Sequence, residues 1–383
     1  MSDQSHLSRR NFIASSGATA LTLGVGNRVL GANDRVVLGI IGTGGRGQSL
    51  LKRITNIDTI QMAAVCDQRP ERLEQAAMIC EQYEPAVRQY TDFRELLDKE
   101  KLDGCIVATE VGNHAKVVIP VLESGIHCFS EKPMECTVEK VDAIVRAARK
   151  AKGIYQVGFQ RRYAPAFMDG IKAIREGAIG DVTFMQGHWH WPWTVGGWVA
   201  DVEMSGGEIV EQACHHMDVM NWVMAGETPL KCVAIAQMTG ERWQHFRHDS
   251  EDQTAVTFIY PNGAIFSYTH LFYLAENFTS EKLVVHGRDG GSDLRTGMVY
   301  PRPGKGEPRR VAEEVPNWDY GTSQELEAFA EHIKNNEQPK SNAETGRIST
   351  LMSLMARKAM YNSGERVYEP MGVVHWNELG SRT

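Results

Sequence analysis

The apolar residues of this 383-residue chain follow two rhythms. Between residues 36 and about 155, short unbroken apolar runs alternate with stretches in which apolar positions recur every three or four residues. "VVLGII" (Val36–Ile41), "IQMAAVCD" ending at Asp67, "GCIVAT" and "IHCFSEKP" running into Pro133 have the composition of strands buried on both faces. "PERLEQAAMIC", "HAKVVIPVLESG" and the stretch from Thr137 to Lys152 carry the helical period between them. Alternating strand and helix units with short links predict an α/β chain whose residues 33–155 form a Rossmann domain, a doubly wound parallel sheet. Ligands of such a sheet lie beyond the carboxyl ends of its strands.

From about Gln156 the pattern changes to residue-by-residue alternation. "IYQVGFQRRY" reads as a strand leading to Arg161, Arg162 and Tyr163, and "DVTFMQGHWHW" as a half-exposed strand. "TAVTFIYPNGAIFSYTHLF" reads as a hairpin around Pro261-Asn262-Gly263, and "KLVVHG" as a further strand. Residues 156–383 are therefore expected to form a C-terminal α+β domain with a large, mostly antiparallel open sheet. One face packs on helices; the other is free, and offers a surface for a homo-oligomer. A long helix is expected from about Asn342 to Asn362. "EIVEQACHHMDVMNW", residues 208–222, reads as one helix in which Ile209, Val210, Ala213, Met217, Met220 and Val223 recur at helical spacing. Glu211 and His215 are four apart and share a face that Asp218 extends. These polar groups interleave with the apolar ones, so some of them must lie near the core.

The first residues follow another logic. Arg9 and Arg10 sit between Ser8 and Phe12-Ile13, followed by a weakly apolar run from about Ala14 to Val25 and small residues at Gly31 and Ala32. That run is too short to span a bilayer, which takes about 20 apolar residues. The order matches a twin-arginine (Tat) signal over residues 1–32 and predicts export of a folded protein to the periplasm, with no membrane attachment after signal removal. Seven cysteines without a CxxC pair argue against a disulfide framework and suit folding in a reducing compartment before export. The net charge is −7, with no basic stripe, which points away from nucleic acid and toward a small-molecule partner.

Candidate chemistry begins where the first strand ends. Gly42-Thr43-Gly44-Gly45-Arg46-Gly47 is a G-x-G-x-x-G turn between a strand and a helix. Its first glycine makes the tight turn, its second lets backbone approach a pyrophosphate, and its third allows close helix–strand packing. Amide groups at the helix N-terminus attract the anion. Asp67, about twenty residues further on, can accept from a ribose diol and would repel a 2′-phosphate, so NAD is expected rather than NADP, with Arg69 nearby moderating the preference. Asp67 also suits capping of the helix that follows, and both roles can coexist. Thr109, Asn113, His114, Glu131 and Lys132 fall at the ends of later strands, and the first four are cofactor-side candidates. The Lys132–Pro133 bond is open to the cis form. In the 208–222 stretch there is no HExxH and no zinc-spaced Cys/His cluster, so no metal is expected. A histidine tuned by a carboxylate, suited to acid/base work, fits better.

Three segments in this order resemble one family, that of glucose–fructose oxidoreductase and inositol dehydrogenase (Gfo/Idh/MocA). They are the Gly42–Gly47 fingerprint, Glu131-Lys132-Pro133, and Glu211-x-x-x-His215-x-x-Asp218. The resemblance implies that Lys132, His215 and Glu211 line the reacting carbon. Arg161, Tyr163, Trp191 and Trp193 resemble substrate-side residues, and His216 is either structural or in contact with substrate. The chain departs from the family where it has Glu211 for the usual Asp and Ala213 for Gly. On this reading His215 accepts the hydroxyl proton, Glu211 orients it and raises its basicity, Lys132 holds the oxygen, and the nicotinamide carries the hydride.

The resemblance implies an NAD-dependent oxidoreductase acting on a hydroxyl of a sugar, cyclitol or glycoside. Export adds a constraint, since free NAD is not expected outside the cytoplasm and the cofactor would have to stay tightly bound. A redox-neutral glycosidase or lyase, which oxidises a sugar transiently, eliminates a substituent and returns the hydride, is the alternative. A non-catalytic sugar-binding protein of the same fold would be expected to lack Lys132 or His215, and both are present.

Overall fold

The computed structural model describes residues 35–83, 85–192, 197–238, 250–272, 275–315, 320–361 and 372–381. The expected export signal and Trp193 lie outside the described residues. Six strands, β1 (Val36–Ile41), β2 (Ile60–Cys66), β3 (Arg88–Tyr90), β4 (Gly104–Val107), β5 (His127–Ser130) and β6 (Tyr155–Val157), form one sheet in the order β3-β2-β1-β4-β5-β6. Every pair in it is parallel. Helices α1 (Gly45–Ile54), α2 (Pro70–Ile79), α3 (Phe93–Lys99), α4 (His114–Glu123) and α5 (Val138–Lys150) connect the strands. The ends of α3 and α5 are set by side chains: Asp92 accepts from the Arg94 amide and Thr137 from the Lys140 amide. The strand order reverses between β1 and β4, so the crevice beyond their carboxyl ends is the place where such a sheet takes a ligand.

The second sheet holds β7 (Val182–His190), β8 (Lys231–Gln237), β9 (Gln253–Ile259), β10 (Ile265–Leu271), β11 (Ser280–Gly287), β12 (Gly290–Asp293), β13 (Met298–Pro301), β14 (Arg309–Arg310) and β15 (Val373–His375). Its order is β14-β13-β12-β11-β7-β10-β9-β8-β15. β7 and β10 are parallel, and all other pairs are antiparallel, as the alternation predicted. The β9–β10 turn falls at Asn262-Gly263, where Gly263 takes φ 84° and the Asn262 side chain accepts from the Ala264 amide. The remaining helices are α6 (Pro165–Arg175), α7 (Val202–Ser205), α8 (Glu208–Glu211), α9 (Cys214–Val223), α10 (Thr322–Asn335) and α11 (Ala343–Met360), the last begun by Asn342. Phe258, Phe266 and Tyr268 from the sheet join Val219 and Met220 of α9 and Met352 and Met355 of α11 in one core.

Two features depart from the sequence reading. The chain does not change lobes at 156, because Tyr155–Val157 is the sixth strand of the first sheet. Far downstream, α10 returns to that sheet and packs Leu326, Phe329 and Ala330 with Leu38, Ile40 and Leu50. A parallel sheet needs both faces covered; α1, α2 and α10 cover one while α3, α4 and α5 cover the other. The second departure is that residues 208–222 are not one helix. α8 stops at Glu211 and α9 starts at Cys214. The Glu211 carbonyl, which an unbroken helix would give to the His215 amide, instead accepts from Lys132 Nζ at 2.6 Å and from Cys214 Sγ at 3.3 Å. The His215 amide turns to the Gln212 carbonyl at 3.4 Å.

The return of α10 buries a carboxyl. Glu325 is fully buried, and neither of its oxygens has a hydrogen-bond partner. Burial, then the Glu131 charge, push it well above the usual carboxylate range, so the folded protein holds it neutral. A raised folded pKa contributes stability that is present below the unfolded value and fades as pH rises. Glu325→Gln removes that dependence. Its stability relative to the parent should improve between pH 5 and pH 8, with a slope of up to about 1.4 kcal/mol per pH unit, read from urea midpoints. An equal difference at both pH values would show that Glu325 is not held neutral.

Candidate active site

The glycine-rich turn has the shape of a cradle. Gly42 takes φ 92°, and a Cβ there would meet the Ala108 carbonyl oxygen at 2.6 Å. A Cβ on Gly47 would stand 2.1 Å from the Gly42 carbonyl oxygen, so α1 approaches the end of β1 only because both positions lack side chains. The Thr43 amide donates to Asp67 Oδ2 at 2.8 Å, and the Thr43 hydroxyl lies 3.3 Å from the same oxygen. Asp67 Oδ1 accepts from the Arg69 amide at 3.0 Å, which ties the residue to the start of α2 without making it the cap, a position Arg69 holds. Arg72 Nη1 stands 3.7 Å from Asp67 and would lie 3.4 Å from a Cβ on Gly44, so a guanidinium borders the Asp67 carboxylate.

The loops after β4 and β5 close the floor of the crevice. Arg46 Nε donates to Glu131 Oε1 at 2.6 Å, which brings the fingerprint to the EKP tripeptide. Thr109 and Asn113 sit half-buried in the β4 loop, where Asn113 Nδ2 lies 3.4 Å from Glu110 Oε2. His114 differs from expectation. It is fully buried, with one ring nitrogen 2.9 Å from the Pro133 carbonyl and the other 3.2 Å from the Thr109 carbonyl. Both nitrogens face protein, so His114 braces the β4 loop against the β5 loop rather than facing a cofactor. The Lys132–Pro133 bond is cis.

Lys132 and Glu211 meet across the two lobes. Lys132 Nζ donates to Glu211 Oε1 at 2.8 Å as well as to the Glu211 carbonyl, and both side chains are about nine-tenths buried. Burial works against the ammonium, but the Glu211 charge more than offsets it, so the Lys132 pKa stands above its usual value. The Gln212 amide also donates to Glu211. His215 is buried at 6% exposure and its Nδ1 has no partner. Its ring stands edge-on to Phe159 and Trp189, at 6.4 and 6.3 Å. Burial foremost, then the Lys132 and Arg161 charges, push its pKa well below 6.5. The expected partnership is thereby corrected. Glu211 orients Lys132, not His215, and the surroundings lower the basicity of His215 instead of raising it.

The substrate-side candidates divide. Arg161 is buried at 2% exposure, stacked between Tyr320 and Trp189 and paired with Glu281 at 2.6 Å. His216 is fully buried beside the same Glu281, at 3.2 Å. Both belong to a cluster around Glu281 in the core. Tyr163 is buried with its hydroxyl 3.1 Å from the Ser341 hydroxyl, a link to the start of α11. Trp191 is half-buried and packs on Trp189, Ala200 and Phe272. Asp218, which extends the Glu211–His215 row in sequence, holds Arg162 at 2.8 Å and accepts from Ser349. The sequence reading passed over Trp189, Phe159, His270 and Glu281. A signal for the last two was available: strand period puts Glu281 on the inward face with Leu283 and Val285, and His270 with Phe266 and Tyr268.

Residues 36–159 match the Gfo/Idh/MocA oxidoreductase family, NAD-binding Rossmann fold, and residues 171–292 match the Gfo/Idh/MocA C-terminal domain. The inositol 2-dehydrogenase of Salmonella typhimurium is 28% identical over 188 residues, 49% of this chain and 54% of that protein. A glycosyl hydrolase family 109 protein of Shewanella baltica is 27% identical over 204 residues, 46% of this chain and 44% of that protein. The chain thus spans about half the length of these curated relatives. The fold superposes on levoglucosan dehydrogenase in complex with NADH and levoglucosan with a TM-score of 0.73, at 20% identity, over 84% of this chain and 96% of that one. With both of its domains matched in order, the chain belongs to the Gfo/Idh/MocA oxidoreductase family.

Proposed function

We propose that the protein oxidises a hydroxyl of a neutral sugar, cyclitol or glycoside and passes the hydride to bound NAD. The observation that carries this is a held ammonium, Lys132 on Glu211, near a buried neutral imidazole, His215, whose Nδ1 has no protein partner. Lys132 has three N–H donors; two serve Glu211, which leaves one for the oxygen of a substrate hydroxyl. His215, held neutral, takes the proton that leaves with oxidation. A neutral substrate is favoured because, among the described residues, Arg46 faces Glu131, Lys132 faces Glu211, Arg162 faces Asp218, and Arg161 shares Glu281 with Arg295. Trp189 and Trp191 offer aromatic faces for the C–H face of a ring.

The cradle at Gly42 and Gly47 fits a dinucleotide, and Thr43, Gly44, Arg46 and Asp67 would hold it. Bound nicotinamide supplies the hydride acceptor. The Asp67 carboxylate favours NAD over NADP, tempered by Arg72 beside it. From Arg9-Arg10 and the weakly apolar run that follows, we infer export by the twin-arginine route with the cofactor retained. The outer face of the second sheet, with Val233 and Ile235 about half exposed, suits docking of a second copy. A redox-neutral glycosidase is the second reading, favoured by the likeness to the family 109 glycosyl hydrolase of Shewanella baltica.

Two outcomes test the site. His215→Ala should lower turnover at least about a hundredfold; turnover within a few-fold of the parent would remove His215 from the chemistry. Because its pKa is depressed, the parent should keep its kcat/KM from neutral pH down well below 6.5. Glu211→Gln should move the basic limb of the kcat/KM profile to lower pH by about one unit or more, since the charge that holds Lys132 protonated is gone. An unmoved limb would show that Lys132 does not depend on Glu211.

One assay tests the reaction. The purified full chain, without added cofactor, is incubated with free sugars, cyclitols and aryl glycosides while reduced nicotinamide and released aglycone are followed together. Accumulated NADH is the expected result. Aglycone release without net NADH favours the redox-neutral cycle. Neither signal, with bound NAD verified by extraction, would refute both.

A further inference from the structure

A chain of hydrogen-bonding groups runs from Glu281 to a nitrogen with no partner. Burial raises the Glu281 carboxyl, but Arg161, His216 and Arg295 more than reverse this and keep it ionised. It is an acceptor only, within 2.6 Å of Arg161 Nη2, 2.8 Å of the Tyr320 hydroxyl, 2.9 Å of Arg295 Nη1 and 3.2 Å of His216 Nε2. His216 Nε2 stands 3.2 Å from that carboxylate without the geometry of a hydrogen bond, yet a lone pair there would face the anion, so this nitrogen carries the proton. His216 is neutral, with burial first and Arg161 second pushing its pKa down to about 4. Its Nδ1 is therefore an acceptor, 3.5 Å from Arg161 Nη1. The Tyr268 hydroxyl has one proton and two nitrogens in reach, His216 Nδ1 at 3.4 Å and His270 Nδ1 at 3.0 Å. With Arg161 serving the first, the proton goes to the nearer His270. Burial pushes the His270 pKa down to about 3, so its ring holds a single proton, on Nε2. That N–H is buried and has no partner.

Buried polar groups in native proteins are nearly always paired, and an exception asks for a ligand or a water. His270 sits opposite Trp189 in the β7–β10 register, with its ring edge-on to the indole at 5.8 Å. The same indole flanks His215, whose Nδ1 also lacks a partner. Phe272, 4.7 Å from the His270 ring, packs with Trp191 and Ala200. Two imidazoles with unpaired nitrogens thus share one aromatic wall. We propose that His270 is a substrate-positioning residue whose Nε2–H donates to an oxygen of the polyol other than the one being oxidised. This rests on the polyol reading above and narrows it. The substrate carries a second hydroxyl, and Glu281 fixes the polarity of its contact through His216 and Tyr268.

The test uses the full-length protein with its bound cofactor. His270→Asn keeps an amide at the Nδ1 position facing Tyr268 and removes the outer N–H; His270→Gln places an amide nitrogen near Nε2. On a polyol that the parent oxidises, His270→Asn should raise KM about tenfold, the size of one hydrogen bond, and lower kcat less, while His270→Gln restores most of the affinity. A deoxy analogue lacking the contacted hydroxyl should lose that factor with the parent and nothing further with His270→Asn. An unchanged KM in His270→Asn would mean that a water, not substrate, meets Nε2, and would overturn the proposal. An independent arm needs no turnover. In ¹⁵N-histidine-labelled protein, His270 should be protonated at Nε2, and saturating myo-inositol should shift that signal. A proton on Nδ1, or no shift where myo-inositol is oxidised, overturns the assignment. If the parent oxidises no polyol, the fault lies with the functional reading, and the Nε2 protonation state alone decides for or against His270.

Discussion

One ammonium group organises the junction of the two lobes. Lys132 leaves the end of the first sheet and gives two of its three hydrogens to Glu211, one to the carboxylate and one to the backbone carbonyl. The carboxylate keeps the lysine charged where burial would discharge it. The carbonyl contact has the larger structural effect. A helix continues only if each carbonyl meets the amide four residues on. With the Glu211 carbonyl taken, α8 ends, two residues turn, and α9 begins again at Cys214. His215 therefore sits in the first turn of a new helix, buried against Phe159 and Trp189, not on a continuous row with Glu211. Removing either partner would strand a charge in the interior, an effect of about 3–5 kcal/mol in buried pairs.

This is why the site was only half legible in the sequence. Patterns that depend on neighbours were readable. The unbroken run Val36–Ile41, the two glycines that tolerate no Cβ, the Asn262-Gly263 turn and the inward alternation of β9 and β10 are all local consequences of backbone geometry. What depends on a distant partner was not readable. The break in the 208–222 helix is decided by a lysine 79 residues away. His114 has the position of a cofactor residue and the contacts of a brace. Tyr163 follows two arginines toward the crevice in sequence, yet its hydroxyl meets Ser341 from another part of the chain. The lobe boundary was misplaced for a related reason. Both faces of a parallel sheet must be covered, and one of the three helices that cover the first face lies beyond residue 320.

Burial explains the electrostatics as well. Around the crevice, Arg46, Lys132, Arg161 and Arg162 each face a carboxylate within 3 Å. The pairing keeps these cations charged in the interior, and their charge adds to burial in holding the imidazoles between them neutral, Lys132 and Arg161 at His215 and Arg161 at His216. His215, His216 and His270 all have depressed pKa values, with burial the first cause in each case. A neutral imidazole has one N–H and one lone pair, so its direction is fixed by what its other nitrogen meets. Such a site is suited to reading hydroxyl groups, which offer both donor and acceptor, more than to holding ions.

The same economy of charge separates the reacting groups from their supports. Glu281 touches none of the groups assigned to the reaction, yet it determines which nitrogen of His216 is protonated and, through Tyr268, which nitrogen of His270 is. Its place on β11 puts it beneath the arginine that backs Trp189. A single carboxylate on an inward strand position thus sets the hydrogen-bonding polarity of a wall formed by three other strands and helices. Strand alternation alone flags it, because an inward acid between apolar neighbours must be paired, and the pairs it makes reach the aromatic wall beside His215.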